Sequence, residues 1–485
     1  QVRKVTPAEW YEKFSWGAID TNYVGDPEPL PPINFKTPNR VKQWWLYLLR
    51  DVKSKMSNLQ YLLLNFFEAP LMALCVASLL RYFNVTSPDG YTFADNENMP
   101  VFIIVSVIIA FFVGLTVSAE EIIQDRQILK RESFLNLSRT SYILSKCTQT
   151  TVLSAVQMAF FVLIANTILS IKGMFWDYWF VLFSTAVSAN MLGLNLSDMM
   201  RKTINIYILI PFMVIPQLIL SGVFVRFDKM NPDMSSATGV PFYGNVITAR
   251  WAFEALAVNQ FCYNDYETLF YKFDKSKSQS AYYKDYWVPA MKSYLDKVSI
   301  NSSKAESDPA EIQRVLTLIS NEIKDKADLF PDIERPRVEM FESGLFGLAA
   351  YNVVYQYLEK VRQYNVLRYN KADIALDKYK QQFTAEQIDD LRRNYQNTSI
   401  SDLVTSPSGI LSEVITEYDG RLWQKNDQVF QNTDESFRAP LYSAYKTFCG
   451  MMIDTYLFDV IIIWVINAVL LLVLLDGHVA EWMRK

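Results

Sequence analysis

The 485-residue chain offers little of the side-chain chemistry that enzymes use. Its one histidine, His478, leaves no second imidazole for a metal pair, and it lies where a Ser-His-Asp triad has no workable geometry. No Cys-x-x-Cys pair occurs, so no zinc or di-metal site is expected. The patterns Gly-x-x-x-x-Gly-Lys-Ser/Thr, His-Glu-x-x-His and Gly-x-Ser-x-Gly are also missing, so the sequence holds no P-loop ATPase, zincin or hydrolase elbow. Asp454 and Asp459 are near enough in sequence to suggest an aspartyl pair. They read better as interfacial or helix N-terminal charges at the outer end of one helix. With 47 basic and 51 acidic residues, the near-neutral balance gives no basic surface for nucleic acid.

What remains is a set of polar residues inside apolar segments: Asn65, Glu68, Gln157, Asn166, Asn190, Gln217 and Asn467. Each is costly against lipid, so each is expected to face another helix or a cavity. Glue between helices is the first reading and lining of a pathway the second.

The elements that must position them are membrane spans. Apolar runs of roughly 20 residues mark such helices. Six are expected, at about Leu62–Phe83, Pro100–Ser118, Leu144–Ile171, Trp176–Leu194, Ile204–Phe224 and Met451–Leu475. Ahead of them, residues 1–39 carry Pro27, Pro29, Pro31, Pro32 and Pro38, a density that reads as a linker or the tail of an upstream domain. The chain opens on Gln1 and is read as part of a longer polypeptide. Residues 40–61 form a basic amphipathic helix, with Trp45, Leu48, Leu49, Val52, Met56 and Leu59 at helical spacing and Arg40, Lys42, Arg50, Lys53 and Lys55 around them. Such a helix lies in a membrane surface. Basic residues cluster after span two (Arg126, Lys130, Arg131, Arg139, Lys146), after span four (Arg201, Lys202) and at Arg484 and Lys485. The loop after span one holds only Asp89, Asp95 and Glu97 among charged residues. Both termini are therefore expected in the cytoplasm and residues 228–450 outside.

The stretch around residues 204–261 is read as the organising one. Span five, broken by Pro211 and Pro216, ends at Ser221-Gly222, and residues 228–262 form a re-entrant hairpin. Residues 263–450 form a mainly helical extracytoplasmic domain. Asp308 with Glu311, and Thr384 with Gln387, carry capping signals there. Of the cysteines, Cys75 and Cys147 read as inert apolar residues. Cys262 and Cys449 lie outside at the two feet of the ectodomain, as either a disulfide or two separate thiols. Asn84, Asn301 and Asn397 begin sequons on the outer side.

An ordered set of local matches resembles a known family. RWAFEALAVNQF, through Arg250, Trp251, Phe253, Glu254, Ala255, Leu256, Asn259 and Phe261, is similar to the Arg-aromatic-x-aromatic-Glu-Ala-Leu segment of ATP-binding cassette exporters of the G subfamily and their bacterial half-transporter relatives. LSGVFVRF looks like the segment closing their fifth span. AEEIIQDRQILKRESFLNLSRTSYILSK resembles their cytoplasmic element after span two, and VKQWWLYLLRDVKSKMSNLQYLLLNFFEAP their connecting helix and first span. Gln260 departs from the family's glutamate. Val223 and Phe224 replace its leucine pair at the plug.

The resemblance implies an all-α membrane domain of six spans, working as a homodimer or heterodimer around an inward-open cavity. ATP and Mg would sit on a nucleotide-binding domain fused upstream or on another chain, with no cofactor in this sequence. The helix at about 120–137 would be the coupling helix, engaging that ATPase through Glu121, Asp125, Arg126, Arg131 and Glu132. Phe111, Phe112, Thr116, Phe212, Pro216 and Leu220 would line the substrate slot, beneath a plug at Val223 and Phe224. The re-entrant helix would carry Arg250, Glu254 and Asn259. An amphipathic or lipid-like substrate fits such a lining, and a bacterial inner membrane is the favoured location. Two other readings stand beside export: a mechanotransmitter whose large ectodomain does work outside, and a receptor or scaffold whose ectodomain binds a protein partner.

Overall fold

The computed structural model describes residues 6–13, 38–84, 90–132, 137–231, 233, 239–302, 309–341, 346–406, 414–432 and 440–477. Asp308, His478, Arg484 and Lys485, and most of the proline-rich linker, lie outside these residues. After a short helix α1, Pro7–Lys13, comes α2, Arg40–Met56. It turns Gln43 and Tyr47 inward and leaves Val41, Trp45, Leu49, Val52 and Met56 exposed as one apolar stripe, the pattern of a helix lying along a membrane surface.

Five helical stretches among the described residues are long and apolar enough to cross a membrane. They correspond to α3 (Leu59–Leu80), α4 (Met99–Ala119), α6 (Arg139–Leu169), α7 (Phe175–Met199) and α16 (Thr455–Asp476). Helix α5, Glu121–Glu132, follows α4 after a single residue. At the centre, α4 and α7 pack closely because a side chain at Gly114 would strike the Ala186 carbonyl, and one at Gly193 the Ser118 hydroxyl. The first span, α3, buries Ala69, Ala73 and Ala77 and leaves Leu63, Leu64, Phe67, Leu71 and Leu74 to the outside.

Two expectations about spans change. The fifth segment forms α8, Thr203–Ile219, an apolar helix of 17 residues that ends short of the expected Phe224. At ~1.5 Å per residue it is roughly 26 Å long against a ~30 Å hydrocarbon core. It stops there because Gly222 takes a left-handed φ of 80° that turns the chain, with the Phe227 ring packed where a Cβ would sit. The last span begins at Thr455 rather than Met451, because Met451–Asp454 is a strand (β4) paired with β3, Tyr445–Phe448. The expected half-helix after span five is α9, Thr248–Cys262, and every residue of it is buried. It is enclosed by α4, α7 and α16, so its Arg250, Glu254, Asn259 and Gln260 must find their partners inside the protein.

The domain expected outside is built on α10 (Glu267–Ala281), a π-helical segment Tyr282–Trp287, α11 (Val288–Ser302), α12 (Pro309–Lys326) and α13 (Leu348–Lys380). Trp287, Leu316, Ile319, Leu358 and Val361 form its core. Within that core, Glu322 accepts 2.8 Å bonds from Trp287 Nε1 and the Leu422 N–H. Leu422 belongs to β2 (Arg421–Gln424), paired with β1 (Ile415–Tyr418) through Asp419 and Gly420, both at positive φ. Two small hairpins thus join a domain expected to be nearly all helix. The membrane-side part is less separate than its sequence implies. Helix α15 (Thr398–Thr405) follows α14 (Ala385–Tyr395), and its Ile400 and Val404 belong to the same core as the spans. The capping box read at Thr384 and Gln387 is present.

Glu267 opens α10 almost fully buried, two turns before Asp274. Burial first, and then the Asp274 charge, raise its carboxyl to about 8. A carboxyl raised in the folded state stays neutral there while the unfolded chain ionises, so stability falls as pH climbs from about 4.5 and levels off above about 8. Glu267→Gln is expected to remove that slope. Thermal unfolding from pH 5 to 8 would show the variant gaining most at pH 8, by a few kcal/mol at about 1.4 kcal/mol per pH unit. Parallel melting curves for the two proteins would refute it.

Candidate functional site

Two buried clusters of charge stand at opposite ends of the spans, named inner and outer for the sides expected from the sequence. On the inner side, Lys146 of α6 places Nζ 2.7 Å from Asp51, 3.1 Å from Glu121 and 2.8 Å from Asp125. Lys55 bonds the other oxygen of Glu121, and burial pulls its ammonium below the usual lysine range against the pull of that carboxylate. Tyr142 donates to Asp125 at 3.1 Å. Helix α5 is thereby bound to α2 and α6 through its inward face. Its first turn is held from outside as well: the Ile122 and Ile123 N–H groups both donate to Ser197 Oγ at 3.0 Å, replacing a local N-cap. Arg126 donates to the Ser197 and Asp198 carbonyls, and Arg50 pairs with Glu132 at 2.9 Å.

The residues expected to face an ATPase therefore divide. Glu121, Asp125 and Arg126 are engaged inside the permease, and Glu132 reaches back to α2. Arg131 is exposed, with Gln124, Gln127 and Lys130 on the same outer face of α5. Asp51, Lys55 and Lys146 were counted in the sequence only as part of an amphipathic helix and of a basic loop. Their signal was positional: Lys146, Thr150 and Ser154 recur at helical spacing on an otherwise apolar helix.

On the outer side, Arg250 and Glu254 of α9 pair at 2.7 Å. Lys446 of β3 bridges Glu254 and Asp459 of α16, each at 2.6 Å. All four are buried, and the Trp251 ring packs under Arg250 and Lys446, at 3.7 Å and 4.7 Å from its centroid. Asp459 is thus an interior ion-pair partner and not an interfacial charge, whereas Asp454 does cap α16, accepting from the Tyr456 N–H. Asn259 is buried with its amide against Asp177, and Gln260 accepts from Tyr178 Oη at 3.0 Å. Gln217 of α8 accepts from the Ala249 N–H at 3.0 Å, tying α8 to the start of α9.

The expected slot residues separate too. Phe111 is packed within the protomer against Leu115, Ala189, Ile206 and Ile210, so it lines no slot. Phe112, Thr116, Pro216 and Leu220 are half-buried, Phe212 is exposed, and above them Val223 is half-buried and Phe224 exposed. Thr116 turns its hydroxyl back to the Phe112 and Val113 carbonyls. The Cys262–Cys449 bridge is not formed, and both are free thiols. Cys262 is buried at the end of α9, while Cys449 is exposed, at a φ of 50° in the β3–β4 turn, next to Gly450 at 77°.

Spans α3, α4, α6 and α7, with α5, α8 and α9 up to Phe261, fall within one matched segment. Residues 42–261 match the ABC-2 type transporter family. The chain is 27% identical over 178 residues to the ABC transporter ATP-binding/permease protein Rv1747 of Mycobacterium tuberculosis. The alignment covers 35% of this chain and 20% of that protein, so the chain spans about a fifth of the relative's length. The inner cluster lies wholly inside the matched segment. The outer one joins α9, at the end of that segment, to residues beyond it.

Proposed function

We propose that this chain is the membrane half of an ATP-driven exporter of the G-subfamily half-transporter type, moving an amphipathic or lipid-like substrate outward. The observation that carries the reading is the face of α8. Ile204, Tyr207, Ile208, Phe212, Ile215 and Ile219 are exposed, and only Ile206 and Ile210 of that helix are buried. The same face on a second copy, or on a related half-transporter, encloses an apolar slot with Phe112 and Thr116 at its side and Phe224 above it. ATP and Mg are bound by a nucleotide-binding domain, fused or separate, seated on the exposed face of α5. The inner cluster carries its movement to α6. Both termini lie in the cytoplasm, in a bacterial inner membrane, with residues 228–450 outside. Phe224→Asp, with its ATPase partner in proteoliposomes, is expected to abolish substrate export while ATP hydrolysis continues. Undiminished export would overturn the reading.

A second reading, mechanotransmission, is favoured by how the ectodomain meets the spans. Asn397 donates to the Phe93 and Asn96 carbonyls at 2.7 and 2.9 Å, and Lys446 joins α9 to α16. Under it, Phe224→Asp leaves ATP-driven motion of the ectodomain intact and no substrate is found to cross.

A further inference from the structure

Glu68 belongs to neither charged cluster. It lies in the middle of α3, the most outward-facing of the spans, on the edge of that helix's packed face. Tyr61, Asn65 and Glu68, spaced i, i+4 and i+7, are all half-buried and form one polar edge beside the alanine stripe. No hydrogen bond or ion pair reaches the Glu68 carboxyl among the described residues. The neighbouring polar groups on α3 and α6, and Asn190 of α7 beside them, are also short of partners. Tyr61 Oη is buried with no hydrogen bond, although the Lys55 ammonium lies 5.3 Å from the ring centroid and Asp51 and Glu121 act on the hydroxyl. Gln157 donates to the Asn65 carbonyl at 2.9 Å, which leaves its own Oε1 unpaired. Asn190 donates to Ser154 at 2.8 Å, which likewise leaves its Oδ1 unpaired. Lys146, Thr150, Ser154 and Gln157 line one buried face of α6. A polar seam therefore runs from the inner cluster into the membrane between α3 and α6. Unpaired buried acceptors are costly to leave dry, and water is their usual partner.

We propose that Glu68 is a membrane-embedded proton-binding site, filled from the cytoplasmic side along this seam. A proton from cytoplasmic water passes by way of Tyr61 and the seam to the Glu68 carboxylate. An O–H bond forms on Glu68 as one breaks in the hydrated proton, and release reverses the step. The titratable groups on the surrounding elements are Asp51 and Lys55 of α2, Glu121 and Asp125 of α5, Tyr142, Lys146 and Cys147 of α6, and Tyr61 of α3 itself. Helix α4 contributes none. The charged members of that set are bound to one another around Lys146 and Lys55, so Glu68 is the carboxyl they leave to take up a proton. An ionisable residue at membrane depth is placed there at a cost, and proton relays are one recurring reason.

The test labels the full chain in sealed vesicles with a hydrophobic carbodiimide, which reacts with protonated carboxyls in lipid, and reads the Glu68 peptide by mass spectrometry. Labelling at Glu68 is expected to follow the pH of the cytoplasmic side alone, falling about tenfold per pH unit once the carboxyl ionises. Glu68→Gln removes the label. Tyr61→Phe slows the response to a cytoplasmic pH jump several-fold and leaves the final yield unchanged. A cysteine placed at Gln127 and probed with an impermeant thiol reagent fixes which side is which, so an inverted orientation is told apart from a failed proposal. No labelling at any pH, labelling that follows the opposite side, or an unslowed Tyr61→Phe response would each overturn it. The sidedness of the unmodified chain decides the matter even where a variant does not fold.

Discussion

Lys446→Met is expected to leave no well-folded protein. The substitution removes the cation between Glu254 and Asp459, both fully buried, and Arg250 pairs with only one of them. Breaking a buried pair costs about 3–5 kcal/mol, chiefly because the abandoned charge stays in a low-dielectric interior. Stabilities of whole domains are only about 5–15 kcal/mol, so this is a large part of the total. The matching control is Lys446→Met with Asp459→Leu, which deletes a whole pair and leaves Arg250 with Glu254. It should recover most of the lost melting temperature in detergent, read by fluorescence-detected size exclusion. A single Lys446→Met variant that melts with the parent would show that the bridge contributes nothing.

Lys146→Met should act at the opposite face with comparable size. Three carboxylates converge on this ammonium, and Lys55 alone is left to balance them. The repulsion falls on α5, which is held to the bundle by Glu121 and Asp125 from within. Hydrogen exchange is expected to rise over Glu121–Glu132 and over the end of α2, with α9 and β3 unchanged. Because α5 is the proposed seat of the ATPase, substrate stimulation of ATP hydrolysis should be lost while basal hydrolysis persists. Unaltered exchange across α5 would show that the cluster does not hold it.

Much of this architecture was legible before any coordinates, because the bilayer imposes a coarse rule that apolar length reports directly. The amphipathic α2, the proline inside α3 and the capping box at Thr384 all follow from local pattern. What the pattern could not supply was pairing across distance. Lys146 reads as one more basic loop residue, and Asp459 as an interfacial acid, until three separate elements converge on each. The Asp419-Gly420 hairpin carried a turn signal that was overlooked among long helical runs. The strand at Met451–Asp454 was hidden because four apolar or capping residues merge smoothly into the helix that follows. Phe111 and Phe112, adjacent in the chain, read as one lining, whereas Phe111 is buried inside its cluster and Phe112 lies half-buried at the edge of it.

The role of Asn397 bears on how the protein can be made. Its sequon reads as an acceptor for N-linked sugar, yet the residue is 4% exposed and the side-chain nitrogen that would carry the glycan already donates to two carbonyls. Its oxygen meanwhile caps α15 by accepting from the Ile400 N–H. In a glycosylating expression host, sugar could be attached only before the chain closes around this residue. An occupied Asn397 would then keep α15 from seating on the loop ahead of α4. Material from such a host would divide into a bare fraction that is native and a sugar-bearing fraction that is not.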